Sequence, residues 1–549
     1  MAAVAYFHLA DKYFFSTASM SPIFRLLLMG YDLHTAWLAL AVYMLAFFWT
    51  NPAPVLTMVD FVGKHIGPVS LSVVGASALG TLLIYHNDAF CMDEYAAVFQ
   101  AKVFAAGQLR AHLPPSVIDW LIPRGFNGEF LMASRTTGEA VEAYWPGFAL
   151  LLAPFEFAGV PWLCNAILAG LAVFLIHRIT FEITRDTRAA GWAVVFTVAS
   201  GAFVANAISY YSMQAHLTAN LLFVWLLLKP TAYRMLAAGA VGSLALILHN
   251  PFPHALFAAP WIIAITRAKD QRRYILPLAL GYLPLLIFIG IGWLRLRGMI
   301  TEGDSGLNVV SGSMTSPFSW PTKAMVDSRT AAIMKMWIWA VPGLFVFAGI
   351  GRLRRGDDAR VRLMTQSAMI TFVAYIFVVF DQGHGWGYRY FHSAWGVVPI
   401  LAACAMTVTP ESNGRLAAFA GAVSLLSIFV VVPYQLIQID GIITAHSAQL
   451  PPARRPGSNV YFVGLSGGFY PADLIQMDPL LRSDDLILAS RGAALDAQLR
   501  EQNWPNAALI ARTSSIEEWH LDPKDQRTTF DATGKGPFVF AFANPKPAP

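Results

Sequence analysis

Apolar runs long enough to cross a bilayer recur along almost the whole of this 549-residue chain. They lie near 67–85, 162–177, 189–208, 213–228, 235–248, 252–266, 274–294, 336–350, 363–380, 393–409 and 416–434, eleven in all. A helix needs about 20 residues to cross about 30 Å of hydrocarbon. Inside hydrocarbon every backbone N–H and C=O must be bonded within the chain, so consecutive apolar runs fold as helices. Charged residues make up only 13% of the sequence, about half the ~25% usual in soluble domains. Mean hydropathy is +0.52. These figures exclude a soluble multidomain enzyme and a disordered chain. Three cysteines, Cys91, Cys164 and Cys404, give no disulfide framework. The net charge of +5 is modest and implies no nucleic-acid partner. The pattern predicts an all-α polytopic membrane protein of about 11–13 transmembrane helices.

Two shorter runs need separate treatment. The run 36–50 is apolar but ends in Asn51-Pro52-Ala53-Pro54, and the sequence leaves open whether it spans or lies at the interface. The run 147–160 is interrupted by Pro154 and Glu156 and reads as a juxtamembrane helix. Charge supports that reading. With 147–160 left out of the spans, one alternating set of loops holds fifteen basic and six acidic residues, and the opposite set holds ten and twelve. Lys and Arg favour cytoplasmic loops. The long loops 86–161 and 295–335 and the tail are therefore expected on the outer face. The first charge in the chain is Asp11, so the start lacks the basic region of a cleavable leader, and insertion is expected from internal segments.

The chain divides on this reading into an N-terminal segment 1–66, a transmembrane catalytic region 67–434 and a soluble outer-face domain 435–549. The last holds 22 charged residues in its 115 positions. Strand-like runs at 459–465, 485–490, 507–512 and 538–543, with a helical stretch at 493–502, predict a small α/β domain. No internal repeat of the transporter kind is present.

The chemistry gathers on the outer loops. Asp93 and Glu94 stand directly after the span 67–85, where a reduced dielectric raises carboxylate basicity. One consequence is a base for a hydroxyl or amine; the other is a plain acidic start to the helix 95–106, since acids favour helix N-termini. His216, His249, His254, His384 and His392 also fall on the outer side. With Asp93 or Glu94 they offer ligands for a divalent cation, but no spacing fixes a metal site. In 295–335, Gly298, Gly303, Gly306 and Gly312 predict flexibility or a mobile cover over a substrate.

Several of these segments together resemble one family. Asp93-Glu94-Tyr95 followed by Phe99-Gln100-Ala101-Lys102 resembles the first outer loop of the polyprenyl-phosphate-sugar-dependent glycosyltransferases of the GT-C fold. That superfamily includes protein mannosyltransferases, the lipid A aminoarabinose transferase and lipopolysaccharide core galacturonosyltransferases. Tyr144-Trp145-Pro146-Gly147 is similar to its aromatic-proline motif. Ser209-Tyr210-Tyr211-Ser212 with His216, and Gly385-Trp386-Gly387-Tyr388-Arg389-Tyr390, resemble later outer-loop signatures. His249-Asn250-Pro251 departs from the Thr-Arg-Pro-like turn expected there. The resemblance covers roughly 67–435 and not the tail.

What the resemblance implies is an inverting transfer of one sugar from a polyprenyl-phosphate donor to a glycan, lipid or protein acceptor, on the outer face of a bacterial cytoplasmic membrane. It implies Asp93 as general base and Glu94 as support for the acceptor or a cation. Lys102, Tyr144, Trp145, Tyr211, His216, His249, His384, Arg389 and Tyr390 are the implied donor- or acceptor-binding residues, with Arg389 on the phosphate. The rival class is a lipid or sugar-lipid transporter, which many spans also fit. The absent repeat and the large outer loops count against it.

Overall fold

The structure is a computed structural model and describes residues 22–123, 125–301, 318–380, 382–407, 410–451, 459–466, 469–483 and 485–522. Among the described residues it is mostly helical, with short strands in the first long loop and the tail. Among the described residues, five helices are by themselves long and apolar enough to cross a membrane. They are Ile23–Phe47, Ile66–Leu83, Leu163–Thr184, Arg272–Ile300 and Gly414–Ser447. The first absorbs most of the run 36–50 into a helix of 25 residues. The other runs of spanning length are helical too, but shorter or broken. Thr187–Val198 and Gly201–Ile208 meet at a 66° bend. The run 336–350 is split before Leu344–Arg354 by Gly343, at φ 86°. Gly147–Phe157 has 11 residues, about 16 Å of helix, too short to cross.

The chain forms two compact units. The first contains 1–87, 162–290 and 316–439. Its helix Ile66–Leu83 reverses the soluble pattern of burial. On Ile66–Leu83, Ser77, Gly80 and Thr81 face inward while Leu71, Leu79 and Leu83 are exposed. Lipid is as apolar as leucine, so helices associate through small residues that let backbones approach. Gly239 and Gly281 do this where Ala232–Ile247 packs on Ile275–Leu285. A Cβ on Gly239 would lie 2.1 Å from the Leu278 carbonyl oxygen, and one on Gly281 2.1 Å from that of Leu236.

The second unit contains 88–161, residues from 291 and residues from 440. In the first long loop a three-stranded antiparallel sheet sets Glu139–Glu142 between Ala111–His112 and Leu131–Ala133. No sequence signal marks these strands, which are two to four residues long. In the tail, Asn459–Val463 pairs in parallel with Asp485–Ala489 and antiparallel with Ile516–His520. Ala508–Arg512 completes the four-stranded sheet. Helix Ala493–Asn503 follows the Asp485–Ala489 strand. The expected strand at 538–543 lies outside the described residues, and of the loop 295–335, where flexibility or a mobile cover was expected, so do 302–317. The described ends of that loop are helical instead, Gly298 lying within Gly292–Thr301 and the far end within Lys323–Ile338. Ile516–His520 has three charged or ionisable side chains in five positions, which hid it from the sequence reading.

An ion pair is buried among the helices of the first unit. Lys335 Nζ bonds Asp32 Oδ2, with the two side chains 1% and 2% exposed. Trp339 Nε1 donates to Asp32 Oδ1 at 2.6 Å. Removing one partner of such a pair leaves the other charge buried without compensation, at a cost of about 3–5 kcal/mol. Lys335→Met is therefore expected to lower the melting temperature in detergent sharply. Adding Asp32→Asn to Lys335→Met should recover a large part of the loss.

Candidate active site

The acidic pair opens a helix, Met92–Ala105. Asp93 and Glu94 occupy its first turn, where the free N–H groups and the helix dipole favour negative charge. Their side chains diverge. Asp93 is half-buried, and the Tyr144 hydroxyl donates to its Oδ1 at 2.5 Å. Glu94 is fully buried, and its Oε2 accepts from the Phe90 N–H at 2.8 Å. Glu94 thus ties the turn before the helix.

Tyr144 is itself held from behind. Trp293 Nε1 donates to its carbonyl at 2.7 Å, and the Phe130 ring meets its ring edge-on at 6.5 Å. Pro146, two residues on, begins Gly147–Phe157. The aromatic-proline motif therefore brings Tyr144 to Asp93. Trp145 is half-buried beside it. Lys102 sits nine residues after Asp93 on one helix, about 13 Å along it and on the opposite face. Its charge lies near Glu156, so the structure does not bring it to Asp93.

Two carboxyls near this site were missed. Partial desolvation, then the Asp93 charge, raises the Glu129 carboxyl above its ordinary range. Glu142 is buried on the central strand of the loop sheet, and desolvation raises its carboxyl well above the ordinary range, against the pull of Arg297. Gln100 bridges this region, accepting from Glu142 N–H at 3.1 Å and donating to the Leu109 carbonyl at 3.0 Å. Neither glutamate belongs to a motif, and only the folded loop shows its environment.

In the first unit the later signatures meet each other. Tyr210 OH donates to Asn87 Oδ1 at 2.6 Å, and Trp386 Nε1 donates to Tyr85 OH at 2.8 Å. The Arg389 guanidinium lies 4.4 Å over the Tyr211 ring. The arginine is buried, its backbone N–H bonds Gln382 Oε1 at 3.0 Å, and its Nη2 bonds the Gln382 carbonyl. Gly385, at φ 122°, passes so close that a Cβ there would lie 2.5 Å from Arg389 Cδ. These contacts give Arg389 the work of folding its own turn. Tyr390 stacks on Tyr375 at 4.9 Å. Asn165 holds the 209–212 turn through the Ser209 and Tyr211 carbonyls at 2.7 and 2.9 Å.

His216 is buried and interacts electrostatically with His249 and His254. His254 bonds Asn220 Oδ1 and Tyr282 OH, each at 2.7 Å. His384 is half-buried in its loop, and His392 is buried. Among the described residues, no group of three or more His, Cys, Asp or Glu side chains is placed to hold a metal.

No protein-family model matches the chain, and no curated protein does. Solved structures do. ArnT from Cupriavidus metallidurans aligns in its apo state at 13% identity and a TM-score of 0.51. In its complex with undecaprenyl phosphate it aligns at 12% and 0.52. Each alignment covers 82% of this chain and 97% of ArnT. The chain has the GT-C fold. At this identity the likeness concerns the fold alone.

The buried Glu142 makes stability depend on pH. Its folded carboxyl titrates well above the ordinary glutamate value of 4.5. Between those values the folded state holds a proton that the unfolded chain releases, so stability falls as pH rises. Glu142→Gln removes that dependence. The variant should melt higher than the parent protein at pH 7–8 (roughly neutral conditions), and the difference should shrink toward zero as pH falls to the ordinary carboxylate range. Melting curves across pH in one detergent check this.

Proposed function

We propose that the chain is a membrane glycosyltransferase. It moves a sugar from a polyprenyl-phosphate donor to a hydroxyl- or amine-bearing acceptor on the outer face of the cytoplasmic membrane. The observation that carries this reading is a half-exposed aspartate, Asp93, oriented by Tyr144 directly after a membrane helix in a chain of GT-C fold. ArnT has been solved with undecaprenyl phosphate bound, which supports a lipid-phosphate donor here.

In the proposed reaction, the acceptor approaches Asp93, whose carboxylate takes its proton as the acceptor oxygen or nitrogen attacks the anomeric carbon. The phosphate leaves with the electron pair of the broken glycosidic bond, from the opposite face, so the configuration inverts. Tyr144 fixes the carboxylate through Oδ1 and keeps its lone pairs aimed. General-base removal costs about 10²–10⁴-fold in rate. Asp93→Asn is expected to lose turnover on that scale while melting as the parent does. The assay is sugar transfer from extracted polyprenyl-phosphate lipids to envelopes of a strain lacking the gene. Near-normal turnover would reduce Asp93 to an acidic helix start.

The membrane side has its own test. Thr136 and Ser483 are exposed, and the three native cysteines are buried. Cysteines placed at 136 and 483 should react with an impermeant maleimide in intact cells. Reaction only after permeabilisation would put the site on the cytoplasmic side.

A further inference from the structure

Cys91, the residue before the helix that carries Asp93, does not cap it with its side chain. Ser, Thr, Asp or Asn at that position would satisfy one of the N–H groups a helix start leaves unpaired. The bond comes instead from far along the chain. Asp473 Oδ1 accepts from the Met92 N–H at 3.3 Å. Tyr95 OH donates to the Met477 carbonyl at 2.6 Å and accepts from the Met477 N–H at 2.9 Å. Gln476 Nε2 donates to the Ala89 carbonyl at 2.6 Å. Tyr95 and Asp473 are buried. Three tail residues within 473–477 therefore hold the backbone before Asp93 and the side chain two positions after it.

We propose that segment 473–477 is a positioning clamp for Asp93, with Asp473 and Tyr95 as its positioning residues. The clamp fixes the rotation of the first helical turn, and with it the aim of the carboxylate that Tyr144 meets. This rests on the reading of Asp93 as the base. It assigns the tail a role in placing the base. The clamp's two ends grip opposite flanks of Asp93, so losing either allows the first turn to rotate or fray. A misplacement of about 1 Å at a reacting group costs roughly 10²-fold in rate.

The test uses the full chain with the extracted lipid donor at varied concentration and the envelopes of the deletion strain. Asp473→Ala and Tyr95→Phe should each lower kcat by up to about 10²-fold, with KM for the donor unchanged. Asp473→Asn keeps a carbonyl oxygen facing Met92 N–H and should lose far less than Asp473→Ala. In an Asp93→Asn background, Asp473→Ala should add no further loss to the residual rate, because there is no base left to misplace. An equal loss in both backgrounds would make Asp473 merely structural and overturn the clamp. If Asp473→Ala fails to fold, Tyr95→Phe, which removes one oxygen atom, carries the same comparison. Parent-like kcat in Tyr95→Phe and Asp473→Ala, beside an inactive Asp93→Asn, removes the clamp and leaves the base reading standing. A fully active Asp93→Asn removes both.

Discussion

A backbone N–H or C=O in hydrocarbon has no water to bond, and this requirement shapes most of what is described here. It forces the apolar runs into helices, and it makes every departure from helix costly unless side chains close the gap. The turn at 209–212 interrupts such a region, and Asn165 supplies bonds to two of its carbonyls. The segment ending at Phe380 has carbonyls at Tyr375, Val378 and Phe380 that Arg329 gathers into one guanidinium. Some buried polar side chains of the first unit thus repair breaks between helices. Some of these repairs meet the motifs that carry the family resemblance: Asn165 bonds the 209–212 turn, and Gln382 bonds the backbone of Gly387 and Arg389.

This double duty explains what the sequence could and could not reveal. Helical membrane architecture was legible because hydrophobic run length is a direct physical signal. The break in the 189–208 run was not, since Ala199-Ser200-Gly201 is ordinary in a membrane helix and only packing decides whether it bends. The 147–160 segment was legible through Pro154, Glu156 and the charge of neighbouring loops. Three tail strands and their helix followed from alternation and turn chemistry. Ile516–His520 did not, because its pairing with Asn459–Val463 overrides its polar composition.

At the candidate site, the sequence indicated which residues to inspect better than what each one touches. Asp93 and Tyr144 are 51 positions apart, and their meeting depends on a sheet too short to announce itself. Glu94 looked equivalent to Asp93 in sequence, yet one helical step of about 100° turns it toward the Phe90 N–H. Arg389 was indicated as a phosphate ligand by the resemblance, and the folded chain also ties it to its own turn and to an aromatic face. Residue identity is encoded locally, whereas direction is set by contacts between distant segments.

The bonds from Asp473 and Met477 to the start of the Asp93 helix span 381 and 382 residues of sequence. During synthesis the acidic helix emerges long before its partners exist. Residues 89–95 must wait in an unfinished state while nearly four hundred more residues are made and the intervening helices insert. A ribosome-stalled or C-terminally clipped chain would carry every outer-loop motif and still lack the contacts that finish the turn bearing its carboxylate. Completion of this site is thereby tied to completion of the polypeptide, so that an immature chain meets its lipid surroundings with its acidic turn still loose.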